Sequence, residues 1–104
     1  MDEQTCPSVR LLKFFGKKWT LMILRVLQEQ ETVRFNGFIA ELEGISPKTL
    51  SERLDRFQEF GIVEKERFNE VPPRTEYRLT DKGEELLECL RCMDRWADRH
   101  GLPD

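Results

Sequence analysis

Apolar residues recur at helical spacing through most of the chain, switch to strand spacing once, and return to helical spacing at the end. Val9, Leu12 and Phe15 mark one face of a first helix that opens at Thr5-Cys6-Pro7-Ser8, with Pro7 at its first position, Leu11 and Phe14 alongside, and Gly16 as its end. From Trp19 to Leu27 almost no polar side is left, since Leu21, Met22, Ile23, Leu24 and Val26 fall between them; this pattern predicts the central helix of the core. Gln28 to Glu31 breaks the pattern, and Thr32-Val33-Arg34 reads as a short extended piece. Phe35, Phe38, Ile39 and Leu42 then repeat as another helix. Asn36 is its candidate cap, and Gly37 weakens it by up to ~1 kcal/mol relative to alanine.

The stretch from Glu43 to Phe57 reads as a tight turn followed by a helix. Gly44 can adopt the left-handed conformation that ends one helix, Ser46 can accept the free N–H groups that begin the next, and Pro47 suits its first position. Ile45 before the cap is placed to staple onto Leu50. Leu50, Leu54 and Phe57 form one apolar stripe, which leaves the opposite side free. Two helices joined by a short glycine-containing turn make a helix-turn-helix.

After Phe60-Gly61 the period changes. Residues 62–68 alternate in their later half, 69–74 form a loop stiffened by Pro72 and Pro73, and Thr75 to Leu79 alternates again, which predicts a two-stranded wing. Thr80 caps a last helix with Leu86, Leu90, Met93 and Ala97 as its stripe, Leu87 to one side, and Cys89, Trp96 and His100 on the other. That apolar surface is wider than one neighbour needs. It predicts a dimer seam shared with the first helix, against the alternative that Trp96 folds back on its own domain. The expected fold is mainly α with a small β-wing (α+β), a single winged helix-turn-helix domain over residues 1–104. Within it the helix-turn-helix spans about 35–60, the wing about 62–79, and the dimerisation helices about 7–15 and 81–99.

Charge complicates this picture. The net charge is −3, which argues against a simple basic nucleic-acid binder, so its distribution matters. Residues 1–34 hold six Lys or Arg against four acids, 46–74 hold six of each, and 75–104 hold five against eight, so the acid excess lies away from the second helix of the helix-turn-helix. On the free side of that helix stand Lys48, Thr49, Glu52, Arg53 and Arg56, with Ser51 beside them; short polar and cationic groups there suit a DNA major groove. The competing reading is a solvated helix with a Glu52–Arg56 pair. Lys65, Arg67 and Arg74 are the wing candidates, Arg74 foremost because it stands at the rigid loop; each is interleaved with glutamate, and the competing reading is a cross-strand charge ladder. Lys17 and Lys18 stand before the second helix, where phosphate contact and plain solvation are both open.

No apolar run approaches the ~18 residues of a membrane span, and Met1-Asp2-Glu3-Gln4 is acidic, unlike a signal peptide, so a cytoplasmic protein is expected. Three cysteines are too few for a disulfide framework and are expected to be thiols. Cys6 sits at a helix N-terminus, which favours thiolate, although a buried inert thiol is the rival. Cys89 and Cys92 have CxxC spacing inside a helix, with no second pair to complete a zinc site, so no metal is expected. His100 alone makes neither a triad nor a metal centre, and no phosphate loop appears; no catalytic residue, cofactor or enzyme activity is expected.

Taken together, Cys6-Pro7, Gly16-Lys17-Lys18-Trp19, Ile23-Leu24, Arg34-Phe35-Asn36, Gly44-Ile45-Ser46, Lys48, Leu50, Arg53-Leu54, Gly61, Val63-Glu64, Glu70-Val71-Pro72-Pro73-Arg74, Glu76-Tyr77 and Leu79-Thr80 resemble the HxlR-type winged helix-turn-helix transcriptional regulators. The resemblance implies a homodimer joined through its N- and C-terminal helices on a two-fold double-stranded DNA operator. It also implies a response to oxidants or electrophiles through Cys6. A Cys6 to Cys89 or Cys92 bridge across the dimer is the candidate form of such a switch that the cysteines themselves offer. A small-molecule effector is the other form of signal. Two rival classes are a winged-helix protein-interaction module that does not bind DNA and a thiol-based redox enzyme.

Overall fold

The computed structural model describes residues 5–103, and the acidic stretch Met1 to Gln4 lies outside them. The element order is α1 (Pro7–Phe15), α2 (Thr20–Glu29), β1 (Val33–Arg34), α3 (Phe35–Glu41), α4 (Pro47–Glu59), β2 (Val63–Phe68), β3 (Arg74–Leu79) and α5 (Asp81–His100). The sheet is three-stranded and antiparallel, in the order β1-β3-β2, so the short extended piece at Val33 completes the wing at its inner edge.

One core joins these elements. Ile23 and Leu24 of α2, Phe38 of α3, and Leu50, Leu54 and Phe57 of α4 are all fully buried. Burial at this level stabilises by roughly 1.5–3 kcal/mol per large apolar side chain. Tyr77 of β3 meets Phe38 edge-on with ring centroids 5.9 Å apart, which seats the sheet on α3. Val33 pairs with Tyr77 from one side of β3 and Lys65 from the other, which fixes the register of the wing.

The start of α4 follows its sequence signals. Gly44 has φ of +94°, Ser46 caps the helix by accepting from the Thr49 N–H at 3.1 Å, and Pro47 occupies the first turn. Ile45 and Leu50 are both buried in the core, as the staple requires.

Four expectations are corrected. Trp19 lies outside α2 as its N-cap, with a left-handed φ of 78°, because the chain must reverse sharply after α1; a bulky residue there is strained by roughly 1–2 kcal/mol, offset by packing of its ring on the core. The second helix is also not buried all round: Met22 is 53% exposed and Leu21 is at the surface. Asn36 does not cap α3, since the helix begins one residue earlier at Phe35 with Arg34 as the capping position. Finally, Leu87, read as flanking the stripe of α5, is more deeply buried than Leu90 of the stripe, whereas Met93 within the stripe is exposed. Gly37 has a positional reason: a Cβ there would stand 3.2 Å from Val33 Cγ1, so α3 can press against β1.

The first turn of α5 is locked to the end of α4. Thr80 caps α5 by accepting from the Gly83 N–H at 3.1 Å, and its hydroxyl lies 2.5 Å from the Gly61 carbonyl oxygen. Lys82 Nζ donates to the Phe60 carbonyl at 2.6 Å, placing a cation on the C-terminus of α4, where the helix dipole favours it. A Cβ on Gly83 would stand 2.2 Å from the Ile62 carbonyl oxygen, so only glycine fits. Beyond Leu90 the helix leaves the core, tied back to α2 by the Arg25–Asp94 ion pair at 2.8 Å.

Candidate nucleic-acid interface

The outward face of α4 carries Lys48, Ser51, Glu52 and Arg56, all exposed, while Thr49 and Arg53 are half-buried on one flank. The buried stripe of Leu50, Leu54 and Phe57 points the other way, so burial of the helix fixes which residues face solvent. Arg53 Nε donates to the Lys18 carbonyl at 3.0 Å, which pins the middle of α4 to the turn between α1 and α2. The Glu52–Arg56 pair of the competing reading does not form: Arg56 pairs instead with Glu59 at 2.6 Å and lies over the Phe60 ring at 5.2 Å. Glu52 therefore stands on the outer face with no ion-pair partner among the described residues. Lys18 packs over the Trp19 ring at 5.4 Å, and Lys17 is exposed beside it.

The wing separates its charges by face. Side chains alternate along a strand, so Val63, Lys65 and Arg67 share one face with their cross-strand partners Leu79, Tyr77 and Thr75. Burial pushes the Tyr77 hydroxyl pKa up, with Asp55 of α4 adding to this and Arg67 opposing it, so Arg67 acts on the α4 side of the sheet. On the other face, Arg78 pairs with Glu64, and Arg74 pairs with both Glu70 and Glu76, the latter at 2.9 Å. The Arg74 guanidinium also stacks on Phe68 at 4.0 Å. The charge ladder is therefore present on one face only. Arg74, the foremost wing candidate from sequence, begins β3 rather than ending the loop and is the most tightly held of the three; Lys65 and Arg67 are exposed, with no ion pair among the described residues. At the tip, Val71 is 101% exposed and is joined to Pro72 by a cis peptide.

The cysteines are far apart in character. Cys6 occupies the N-cap position of α1 without a side-chain capping bond and is partly buried; its Sγ lies 3.4 Å from Ser8 Oγ. The hydrogen bond from Ser8, followed by one from the Val9 backbone, holds its pKa below the usual thiol value. Cys89 and Cys92 are both exposed on α5, and Arg95 donates to Cys92 Sγ at 3.0 Å. Leu12, Met22, Met93 and Trp96 are each more than half exposed, and Trp96 stacks on His100 at 4.8 Å rather than folding into the core. Among the described residues no group of three potential metal ligands occurs, and no helix is long and apolar enough to cross a membrane.

Lys82 escaped the sequence reading. It lies in a different predicted element from α4, and a lysine two residues after a cap carries no local signal that it will reach back to another helix.

Comparison with known proteins bears on this geometry. A model of the HxlR-like helix-turn-helix matches residues 14–104. An HTH-type transcriptional regulator of Halalkalibacterium halodurans is 34% identical over 94 residues, covering 90% of this chain and 83% of that protein. Among solved structures, the reduced form of the transcriptional regulator YodB from B. subtilis is similar with a TM-score of 0.81 at 33% identity, covering 96% of this chain and 98% of that one. The redox regulator HypR in its reduced form gives a TM-score of 0.79 at 29% identity, covering 90% and 92%.

Proposed function

The chain belongs to the HxlR-like helix-turn-helix family and is a helix-turn-helix transcriptional regulator, and from that premise we propose how it works. It acts in the cytoplasm as a homodimer on a two-fold operator, each protomer placing α4 in a major groove. Lys48, Thr49, Ser51, Glu52 and Arg56 reach bases and phosphates, while Arg53 orients the helix and borders the groove. Lys65 and Arg67 reach the neighbouring backbone, and Arg74 holds the wing tip in shape beside them.

One observation carries this reading. α4 spends its apolar stripe wholly on the core and leaves an outer face of side chains suited to groove contact, flanked on the wing by two cations on its own side. Half-sites about one helical turn apart would match a two-fold protein. The exposed Leu12, Met22, Met93 and Trp96 provide the apolar surface for pairing.

Cys6 is the proposed oxidant sensor, supported by its lowered pKa and by the likeness to a redox regulator. Oxidation would join it to Cys89 or Cys92 of a second copy: two thiols lose two protons and two electrons to the oxidant, and one S–S bond forms. Diamide treatment followed by a nonreducing gel reads this directly; a product that stays monomeric removes the bridge.

The deciding experiment is fluorescence anisotropy of the reduced protein on the DNA upstream of its own coding region, in a salt series against a scrambled duplex. Selective binding that weakens with salt is expected. Absence of binding to either duplex at low salt would defeat the reading.

A further inference from the structure

Phe60 follows α4 as its C-cap and is 36% exposed. Its ring packs on Phe14 of α1 at 4.5 Å between centroids, and Phe14 meets Phe57 edge-on at 5.4 Å. On one side of Phe60 and Leu11 lies a groove of about 480 Å³, rimmed by Arg10, Lys13, Lys17 and Arg56 and lined by no acidic side chain. On the other side of the same two residues a second groove, about 380 Å³, runs over Ile62 and Leu86 to Cys89, with Lys82 and Glu85 along it. Phe60 and Leu11 line both, so they are a shared floor between a cationic end and a more apolar end. Arg10 and Lys17 have no ion-pair partner among the described residues.

The chemistry of that surface selects its occupant. A DNA backbone would satisfy Arg10 and Lys17 but not the aromatic floor, and a neutral hydrophobe would cover the floor but leave Arg10 and Lys17 unmet. An amphipathic anion meets both requirements, with its carboxylate held by charge-assisted hydrogen bonds and its body on aromatic rings. We propose that this groove binds a small organic acid, its carboxylate between Arg10 and Lys17 and its apolar part along Leu11 and the open edge of Phe60 toward Leu86, beside Arg56, which is held by Glu59 and lies over the Phe60 ring. The groove uses the side of α1 that carries Arg10 and Phe14. Leu12, two residues further on, points about 200° away round the helix, so the exposed apolar side of α1 is separate.

Arg56 links this site to regulation. Its guanidinium lies over Phe60 at the groove and pairs with Glu59, so an acid seated against Phe60 displaces it and changes where α4 presents that cation to DNA. This second step rests on the DNA-binding reading; the binding itself does not.

Isothermal titration of the reduced full-length protein with hydrocinnamate, and with the neutral hydrocinnamamide, tests the site. Saturable binding of the acid is expected, weaker by about tenfold or more for the amide and for the Arg10→Gln/Lys17→Gln variant, whose changes are both at the surface. No saturable heat with the acid, equal affinity for acid and amide, or an unchanged affinity in the double variant would overturn it. Anisotropy with operator DNA separates the two steps. Saturating hydrocinnamate should lower DNA affinity several-fold; binding of both ligands without mutual effect would overturn the coupling through Arg56. A protein that binds the acid but no duplex would uphold the site and defeat the DNA reading. One that binds the duplex but not the acid would do the reverse.

Discussion

Arg53 reaches across from α4 to the Lys18 carbonyl, a contact between residues 35 apart in sequence. Removing the guanidinium costs a charge-assisted hydrogen bond, which at this half-exposed site is worth about 1 kcal/mol. Arg53→Ala is therefore expected to lower the thermal midpoint by a few degrees and to weaken operator binding, because α4 loses its tether. Lys48→Ala, at an exposed position, should weaken binding with an unchanged midpoint. Thermal melts and anisotropy on the two variants distinguish positioning from contact, and an Arg53→Ala protein with wild-type values in both assays would contradict the assignment.

On the wings, Lys65→Gln with Arg67→Gln should reduce the slope of log affinity against log salt by about 3.6, since the two protomers together lose four phosphate contacts and each contributes about 0.9. Arg74→Gln should change that slope less, because its guanidinium is already committed to Glu70 and Glu76. Equal slopes for wild type and the double variant would place the wing away from the DNA.

Gly83 has no room for a methyl group against the Ile62 carbonyl. Gly83→Ala should destabilise the fold by about 2–4 kcal/mol, read as a lower urea midpoint at unchanged m. A wild-type midpoint would mean that α5 can shift away from β2 freely.

Cys6 should react with iodoacetamide faster at neutral pH than an unperturbed thiol, since a lowered pKa leaves more thiolate below the usual value. The sign follows for Ser8→Ala: without the hydroxyl that hydrogen-bonds the thiolate, the midpoint of the rate-against-pH curve moves up and alkylation at neutral pH slows. Cys89 in the same protein serves as the internal comparison, resolved by peptide mass mapping. A midpoint unmoved by Ser8→Ala would assign the lowering to the helix end alone.

Trp96 is 58% exposed near the end of α5. If it belongs to the pairing surface, Trp96→Asp should convert a dimer to a monomer in light scattering while leaving the helical circular dichroism intact. A wild-type protein that is monomeric at micromolar concentration would remove the seam altogether.

How much of this was legible in the chain depends on how local each signal is. Ser46, Pro47 and the Leu50-Leu54-Phe57 stripe announced α4 because caps and helical periodicity act within a turn or two. Trp19 did not announce itself, since an apolar residue before an apolar helix looks like part of it, and only the sharp reversal from α1 forces it into the left-handed region. Asn36 looked like a cap by type, but packing of Phe35 and Phe38 started the helix one residue sooner. The partners of Arg56 and Arg74 were not legible for another reason: both side chains have several acids in reach along the sequence, and each guanidinium also lies over a ring, Phe60 or Phe68, that the sequence does not place beside it. The grooves around Phe60 had no signature at all, because they are assembled from α1, α4, α5 and the turn at Phe60 to Ile62 together.

The joint between α4 and α5 makes the last helix a lever arm. Lys82 closes the end of α4, Thr80 brackets Gly61, and Gly83 leaves no slack against Ile62, so the two helices turn as one piece. Twenty residues of α5 extend about 30 Å, so a tilt of about 10° at its far end sweeps about 5 Å at the joint, close to one helical pitch. In a homodimer paired along α5, a small change in how the two helices cross would carry both α4 helices out of step with the groove spacing. A thiol or ligand acting far from the DNA would then need to bend nothing and melt nothing; it would only have to reset an angle.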